Sequence, residues 1–222
     1  MPAAAEPVVC YVTHRKSLGA DDSATKLIAT IGRAIAAGAN WVQIREKDLP
    51  GRQSLELARE AVRAAAERGA LVLVNDRLDV ALAAGAAGVH LGGESVDARD
   101  AIRWCRAGNS PAEFRVGVSC HSIEDVSAAE RAEANYAFFG PVFDTPAKRK
   151  FGAPQGIAKL KAACGAVKIP VIAIGGIDAT NAAECLRAGA AGIAAIRMFQ
   201  ETSDPAMLAD TLAKVRRANP AF

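Results

Sequence analysis

The sequence predicts a single (β/α)₈ barrel, with residues 1–222 forming one domain. Three observations predict this fold. Eight short apolar runs alternate with helix-forming segments, a corner motif recurs before several of these runs, and the length of 222 residues is sufficient for a small closed barrel. No linker, low-complexity tract or change of composition indicates a second domain.

The eight predicted strands lie at residues 8–13, 41–45, 71–75, 88–91, 115–119, 136–140, 171–174 and 192–196. Most of them lack alternating polar residues, as expected for parallel strands that are covered on both faces. Segments between them, such as residues 54–68, 97–107 and 181–188, are rich in Ala, Leu, Glu and Arg and favour helices. An open, doubly wound sheet would show the same alternation.

The pattern A-G-A-x-x-[VI] occurs at residues 37–42, 84–89 and 188–193, and a looser copy occurs at 132–137. A glycine in the left-handed conformation can end a helix, and the next strand can begin about three residues later. One corner used repeatedly fits a symmetric barrel better than a sheet whose order reverses. Chance repetition in an Ala- and Gly-rich sequence is the alternative.

The composition narrows the class of protein. The chain is 51% hydrophobic but only 5% aromatic, so a core of small and branched aliphatic side chains is expected. A net charge of +3 argues against a nucleic-acid partner bound through a large basic face, and is compatible with small anionic substrates. We expect a soluble cytoplasmic protein with no membrane partner, since no apolar run approaches about 18 residues. The oligomeric state is left open, including a homo-oligomer.

The five cysteines are scattered and contain no C-x-x-C pair, which disfavours a zinc site or a disulfide framework. Isolated buried thiols in a reducing cytoplasm are the expected state.

Polar residues follow the second predicted strand, in the sequence QIREKD at residues 43–48. Catalytic groups of such barrels lie at the carboxyl ends of the strands. Strand alternation places Gln43, Arg45 and Lys47 on one side, where the two cations could hold a diphosphate. A solvated charged loop is the alternative.

The third strand ends in Asn75 and Asp76. A carboxylate beside an amide suits a magnesium–phosphate cluster, because Mg²⁺ takes a few carboxylates together with substrate oxygens and water. Asp76 as the N-cap of the next helix is the alternative.

Histidines follow or lie within three strands. His121 follows the fifth strand and could act as a general base, while the adjacent Ser122 could cap the next helix. His14 follows the first strand, and His90 within the fourth strand is expected to be a packed core residue.

The last three loops suit a phosphate. Residues 143–152 form a long basic loop that could close over an anion or be an exposed turn. Gly175 and Gly176 follow the seventh strand, and Ile196 and Arg197 follow the eighth. Barrel enzymes commonly bind phosphate at loops seven and eight, where glycine lets the backbone approach it closely.

Together these motifs resemble the superfamily of thiamin phosphate synthases and TenI-type thiazole tautomerases. The resemblance rests on six motifs in the family's order, which are VQIREKD (42–48), NDRLDVAL (75–82), GVHLG (88–92), GVS (117–119), GPVF (140–143) and IGGI (174–177). They span the second to the eighth strand, most of the chain.

The resemblance implies a synthase that couples hydroxymethylpyrimidine diphosphate to thiazole phosphate and expels pyrophosphate. It implies small phosphorylated substrates and Mg²⁺ as cofactor. The implied roles are aminopyrimidine binding by Gln43 and Ser119, diphosphate binding by Arg45, Lys47, Asn75 and Lys148, metal binding by Asp76, and thiazole-phosphate binding by Thr145, Gly175, Gly176, Ile196 and Arg197.

Three positions depart from the family pattern. Ser95 stands where the synthases carry a second magnesium carboxylate, Ala147 replaces a hydroxyl residue in the basic loop, and Arg197 replaces a serine. The first two resemble tautomerases, in which the residue corresponding to His121 shuttles a proton. A tautomerase, a non-catalytic sensor of thiamin precursors and another phosphate-binding barrel enzyme are therefore the alternatives.

Overall fold

The computed structural model describes residues 6–19, 24–145 and 153–218. Eight parallel strands pair in chain order, and the last pairs with the first to close a barrel. The strands are β1 (Val8–Val12), β2 (Trp41–Ile44), β3 (Leu71–Asn75), β4 (Gly88–Leu91), β5 (Arg115–Cys120), β6 (Tyr136–Phe139), β7 (Val171–Ile174) and β8 (Gly192–Ala195). The predicted (β/α)₈ barrel is confirmed, with strand ends within one residue of their predicted positions.

Helices cover the outside of this barrel. They are α1 (Ala24–Ala37), α2 (Gly51–Ala66), α3 (Leu78–Ala84), α4 (Ala98–Trp104), α5 (Ile123–Arg131), α6 (Gly156–Ala166), α7 (Ala182–Arg187), α8 (Arg197–Glu201) and α9 (Pro205–Arg217). Helix α2 begins three residues before its predicted start. The predicted helix at 97–107 instead ends as a π-helical turn over Cys105–Asn109.

The repeated corner motif has the predicted backbone conformation. Gly38, Gly85 and Gly189 have φ angles of 119°, 69° and 100°, in the left-handed region. In the looser copy the same place is taken by Glu133, which adopts a φ of 65° despite its side chain. Four corners therefore turn in the same way, and chance repetition is not the explanation.

Side chains that point into the barrel form a core of their own. Its buried apolar members are Cys10, Val12, Leu73, Tyr136, Phe138, Ile172 and Ala194. A larger cluster fills the layer between the strands and the helices. Polar inward residues, Gln43, Asn75, His90 and Ser119, lie toward the carboxyl ends of β2 to β5. The barrel is thus apolar at its floor and polar at its mouth.

All five cysteines fall in the described ranges and none is in a disulfide, as predicted. Burial raises the pKa of Cys120 and Cys185 to about 12 and that of Cys164 to about 11, so these thiols stay protonated. Within the described residues, no helix has the length and apolar character to cross a membrane.

Candidate active site

A chain of hydrogen bonds links the ends of β2 and β3 inside the barrel mouth. Gln43 Nε2 donates to Asn75 Oδ1 at 2.9 Å, and Asn75 Nδ2 donates to Asp76 Oδ2 at 2.6 Å. Gln43 is only 1% exposed, and the hydrogen bond to Asn75 fixes its buried amide group. The residues predicted from two separate strand ends are therefore in direct contact.

Asp76 lies at the centre of a cluster of polar residues at the barrel mouth. Its backbone adopts a φ of 62°, and its N–H donates to the carbonyl of His90 at 2.9 Å. Its Oδ1 accepts hydrogen bonds from the Ser95 hydroxyl and, at 3.3 Å, from the N–H of Gly92. Lys47 Nζ lies 3.8 Å from Oδ2. The carboxylate is thus held between β2, β3 and β4.

The alternative of Asp76 as a helix cap is wrong. Helix α3 begins at Leu78, its N-cap is Arg77, and no side chain caps it. The carboxylate points to the loop after β4 instead.

Arg45 directly follows β2, and its backbone is held by a hydrogen bond to Thr13, which directly follows β1. Its N–H donates to the hydroxyl of buried Thr13 at 2.9 Å, and the Thr13 N–H donates to the Gln43 carbonyl at 2.9 Å. The guanidinium is close enough to His90 to lower the pKa of that imidazole electrostatically. No described residue pairs with the guanidinium, which leaves a cation at the mouth.

Two acidic residues of the QIREKD segment (43–48) connect the loop after β2, called loop two, to the loop after β1, called loop one. The buried Glu46 carboxylate accepts the Arg15 N–H at 3.0 and 3.1 Å. Asp48 receives two Arg15 side-chain hydrogen bonds at 2.7 and 2.8 Å and an ion pair from Lys16 at 3.0 Å. These contacts hold the pKa of Asp48 well below its usual range. The two acidic residues therefore rigidify the segment that carries Arg45 and Lys47.

His90 on β4 is buried among aromatic side chains, as predicted for a core residue. Its Nδ1 lies 3.2 Å from the Tyr136 hydroxyl, and its Nε2 lies 2.9 Å from Ser119 Oγ. Burial lowers its pKa to about 3, with Asp76 opposing and Arg45 reinforcing the shift. The imidazole is therefore neutral and joins Tyr136 to Ser119.

His121 follows β5, is exposed, and is oriented by the backbone. Its Nδ1 hydrogen-bonds the Gly140 carbonyl, and its N–H donates to Asp125 Oδ2 at 2.8 Å. Ser122 caps α5, because its hydroxyl accepts the Asp125 N–H at 3.0 Å. With Nδ1 engaged, Nε2 is the nitrogen that can meet a substrate.

The two glycines after β7 allow the loop after β6 to pack closely against them. Gly175 and Gly176 have φ angles of 94° and 68°. A Cβ on Gly175 would lie 2.5 Å from Pro141 Cα, and one on Gly176 would lie 2.6 Å from the Asp144 carbonyl. Loops six and seven therefore pack backbone to backbone, which brings half-buried Thr145 to this part of the rim. Lys148 and Ala147 lie outside the described residues.

The eighth loop leads directly into α8. Ile196 is half-buried and packs on the barrel interior, and Arg197 is the exposed first residue of the helix. The Arg197 charge acts on Asp178 in loop seven. The pKa of Asp178 is lowered, because hydrogen bonds from Thr180 and Asn181 and the Arg197 charge outweigh desolvation. Loops seven and eight thus meet beside the Arg197 cation.

The donor atoms around Asp76 can serve Mg²⁺. The described residues contain no cluster of three or more His, Cys, Asp or Glu side chains suited to a metal. Mg²⁺ needs few protein ligands, since it keeps several waters and takes substrate phosphate oxygens. The Ser95 hydroxyl contacts Asp76 Oδ1 and places a second oxygen beside the carboxylate. One carboxylate and one hydroxyl fit a metal that the substrate itself helps to hold.

A cavity of about 660 Å³ between α4 and α5 adjoins Ser95 and Gly92, which contact Asp76. Its lining includes Gly92, Ser95 and Ser119, together with Arg99 and Arg103 of α4. The polar rim at β4 and β5 therefore has open space beside it.

Four supporting residues were not predicted as part of the site. Thr13 and Glu46 position the second loop, and Tyr136 and His90 position Ser119. Strand alternation could have placed Tyr136 inward, opposite His90. The contact of Glu46 with loop one had no local signal, because it joins residues 31 positions apart.

The fold and this rim define a barrel enzyme with cations, a carboxylate and glycine loops at the carboxyl ends of the strands, which are groups that suit a phosphate. The family model described as thiamine monophosphate synthase matches residues 9–199. The chain belongs to the thiamine monophosphate synthase family.

Curated relatives agree with this assignment. The chain is 44% identical to a putative thiamine-phosphate synthase of Geobacter sulfurreducens, over 87% of each chain. It is 38% identical to the thiamine-phosphate synthase of Moorella thermoacetica, over 92% of this chain and 94% of that protein.

Solved structures agree as well. The thiamine phosphate pyrophosphorylase of Pyrococcus furiosus superposes with a TM-score of 0.82 at 31% identity, over 95% of both chains. A 3-hexulose-6-phosphate synthase from Salmonella typhimurium, at 14% identity and a TM-score of 0.71, shares the fold alone.

Proposed function

We propose that this chain is a thiamine-phosphate synthase, a transferase that couples hydroxymethylpyrimidine diphosphate to thiazole phosphate and releases pyrophosphate. The single observation that carries this proposal is the hydrogen-bonded chain from Gln43 through Asn75 to Asp76, flanked by Lys47 and Arg45. A tautomerase would have no diphosphate to place against these groups.

The diphosphate is assigned to the rim formed by loops two and three. Arg45 offers a planar pair of donors and Lys47 a movable point charge, and both suit phosphate oxygens. Lys47 is within 3.8 Å of Asp76 with its side chain 52% exposed, so it can turn from the carboxylate to a substrate. Lys148, in the basic loop, is assigned to the same diphosphate.

Asp76 and Ser95 are the residues that would hold Mg²⁺. When bound, Mg²⁺ neutralises charge that develops on the departing diphosphate. Asn75 positions the Asp76 carboxylate through its 2.6 Å hydrogen bond. These side chains accordingly hold and orient the leaving group.

The thiazole phosphate is assigned to loops seven and eight. The backbone at Gly175–Gly176 and at Ile196–Arg197 supplies N–H groups, and Thr145 supplies a hydroxyl from the adjoining loop. Arg197 adds a cation where the family resemblance implies a serine. A second phosphate there would face the first across the barrel mouth.

The reaction itself needs no protein nucleophile. Loss of pyrophosphate leaves a cation that the pyrimidine amino group stabilises, and the thiazole nitrogen captures it. The protein contributes position and electrostatic stabilisation. Consistent with this, Cys120 at the end of β5 is buried with its pKa raised to about 12, so it supplies no thiolate.

We infer a single domain and a cytoplasmic location. The closed barrel of eight strands supports one domain over residues 1–222. The free cysteines suit a reducing, cytoplasmic location. Small phosphorylated molecules are the partners.

A matched pair of arginine variants tests the assignment of the two phosphates. Arg45→Gln should raise the KM for the pyrimidine diphosphate about 10- to 100-fold, as expected for loss of a charge-assisted contact. Arg197→Gln should raise the KM for thiazole phosphate instead and leave kcat largely intact. Wild-type protein that makes no thiamine phosphate from the two substrates and Mg²⁺ contradicts the proposed function. The reverse pattern of KM changes contradicts the subsite assignment.

A further inference from the structure

We propose that the helical turn of loop one, Arg15–Ser17, is a bridge that fixes the spacing of the two phosphate subsites, with Arg15 and Gln200 as positioning residues. Strand β1 lies between β8 and β2 in the closed barrel, so this turn lies between the loop that carries Arg197 and the loop that carries Arg45. The turn holds none of the groups assigned to a substrate. This inference rests on the proposed function and adds two positioning residues to it.

Arg15 attaches the turn to loop two. Its side chain is 13% exposed and donates to the two Asp48 carboxylate oxygens at 2.7 and 2.8 Å. Its N–H donates to the Glu46 carboxylate at 3.0 and 3.1 Å. Two parallel hydrogen bonds between a guanidinium and a carboxylate fix the orientation of the pair as well as its distance. Because Arg45 and Lys47 alternate with these acidic residues, the attachment holds the segment that carries both cations.

Gln200 attaches the turn to α8. Its Nε2 donates to the His14 carbonyl at 3.1 Å and to the Tyr11 hydroxyl at 2.9 Å. A carbonyl can only accept a hydrogen bond, so the amide nitrogen of Gln200 is the atom that faces His14. The amide oxygen then accepts from the hydroxyl of Ser17, the last residue of the turn. One side chain of α8 is therefore bonded to β1 and to both ends of the turn.

Helix α8 is also held on β1 by an aromatic contact. Phe199 and Tyr11 are both fully buried, and their ring centroids are 5.1 Å apart. The helix has only five residues, and Arg197 is the first of them. A displacement at Gln200 is therefore passed to the start of the helix, where Ile196 and Arg197 are assigned to the thiazole phosphate.

The bridge acts on the alignment of the two substrates rather than on their affinity. Each phosphate is assigned to its own loops, so each substrate can bind when one attachment of the turn is lost. Bond formation requires the thiazole nitrogen and the pyrimidine methylene carbon to be at attack distance together. A misplacement of about 1 Å can cost on the order of 10²-fold in rate. Loss of the bridge should therefore lower kcat and leave the binding of each ligand nearly unchanged.

The test uses two variants that keep an unbranched side chain, Arg15→Met and Gln200→Met, and the double variant that combines them. Each single variant should lower kcat for thiamine phosphate formation about 10- to 100-fold. Calorimetric dissociation constants for pyrophosphate with Mg²⁺ and for thiazole phosphate should stay within about threefold of wild type. Since loss of either attachment already breaks the bridge, the double variant should lose no more than about a further threefold beyond the worse single variant.

Gln53→Met is the matched control. Gln53 is exposed on α2 and takes no part in either attachment, so its variant should keep the wild-type kcat and both dissociation constants. Thermal unfolding checks that each variant is folded. If one bridge variant does not fold, the comparison of kcat with affinity in the other decides.

Losses in kcat that multiply in the double variant, or dissociation constants that rise as far as kcat falls, overturn the inference and leave the proposed function intact. An unchanged kcat in either single variant does the same. Wild-type protein that makes no thiamine phosphate from the two substrates and Mg²⁺ overturns the proposed function and the inference with it.

Discussion

Tyr136 lies across Gly117 on the neighbouring strand, so closely that a Cβ at position 117 would be 2.0 Å from the tyrosine Cζ. The two residues are paired in register between β5 and β6. The missing side chain on one strand thus makes room for the ring on the next, and the ring carries its hydroxyl to His90.

Gly117→Ala should therefore be damaging. The added methyl group must displace a buried ring inside a closed barrel, which costs about 1–3 kcal/mol of unfolding free energy. A fall of several degrees in Tm is expected. Weaker binding of the aminopyrimidine substrate should accompany it, because Ser119 loses its fixed partner.

Gly32→Ala is the matched control. Gly32 is in α1, and a Cβ there has no atom within 4 Å. Alanine should leave the Tm unchanged or raise it, since it favours helix by up to about 1 kcal/mol over glycine. Equal effects of the two substitutions would contradict the packing argument.

Ser95→Asp should strengthen magnesium binding. Ser95 Oγ contacts Asp76 Oδ1, so aspartate at 95 would place two carboxylates around one cation. The Mg²⁺ concentration for half-maximal activity should fall about tenfold, and without metal the like charges should lower the Tm. Glu94→Gln is the control. Glu94 is exposed, and its neutralisation should leave the Mg²⁺ requirement as it is; a raised requirement would instead make Glu94 the metal ligand.

His90 should make the protein acid-sensitive. Its pKa is about 3 in the folded chain against an ordinary value of 6.5, so below about pH 6.5 the unfolded chain binds a proton that the folded chain does not. Stability is then lost as the pH falls from about 6.5 towards 3, by at most about 1.4 kcal/mol per pH unit. Urea unfolding at several pH values measures this slope. His90→Gln should flatten it between pH 6.5 and 4.5, and an unchanged slope would show that His90 is not the buried neutral group.

His121→Ala separates the synthase from the tautomerase. In a synthase His121 only lines the rim, so the variant should keep kcat within about tenfold, since a residue used as general acid or base contributes 10²–10⁴-fold. Steady-state formation of thiamine phosphate measures this. A loss of more than about 10²-fold would give His121 a proton-transfer role, as expected of a tautomerase.

Much of the fold could be predicted because its signals are local. Each strand is a short apolar run, and the left-handed corner glycines repeat before β2, β4 and β8. Glu133 shows where the pattern weakens, since its positive φ is imposed by the barrel rather than favoured by its own side chain. The early end of α4, followed by a π turn, also had no local signal.

The sequence predicted which strand ends carry the site residues, but not the hydrogen bonds between those residues. Alternation put Gln43 on one side with Arg45 and Lys47, and Asn75 was expected at the end of the third strand. The direct hydrogen bond between Gln43 and Asn75 depends on the register of β2 against β3. His90 was correctly expected in the core, yet its link from Tyr136 to Ser119 spans three strands. Such links connect residues far apart in the chain and depend on barrel closure, which one strand's pattern does not encode.

The most direct test of the central claim is one phosphorus NMR time course of purified protein with Mg²⁺ and both phosphorylated precursors. We expect the diphosphate ester to disappear while pyrophosphate and thiamine phosphate appear in equal amounts, only when both precursors are present and not with Asp76→Asn. No pyrophosphate at high enzyme concentration, together with conversion of the carboxylated thiazole phosphate by wild type and not by His121→Ala, would contradict the account and identify a tautomerase.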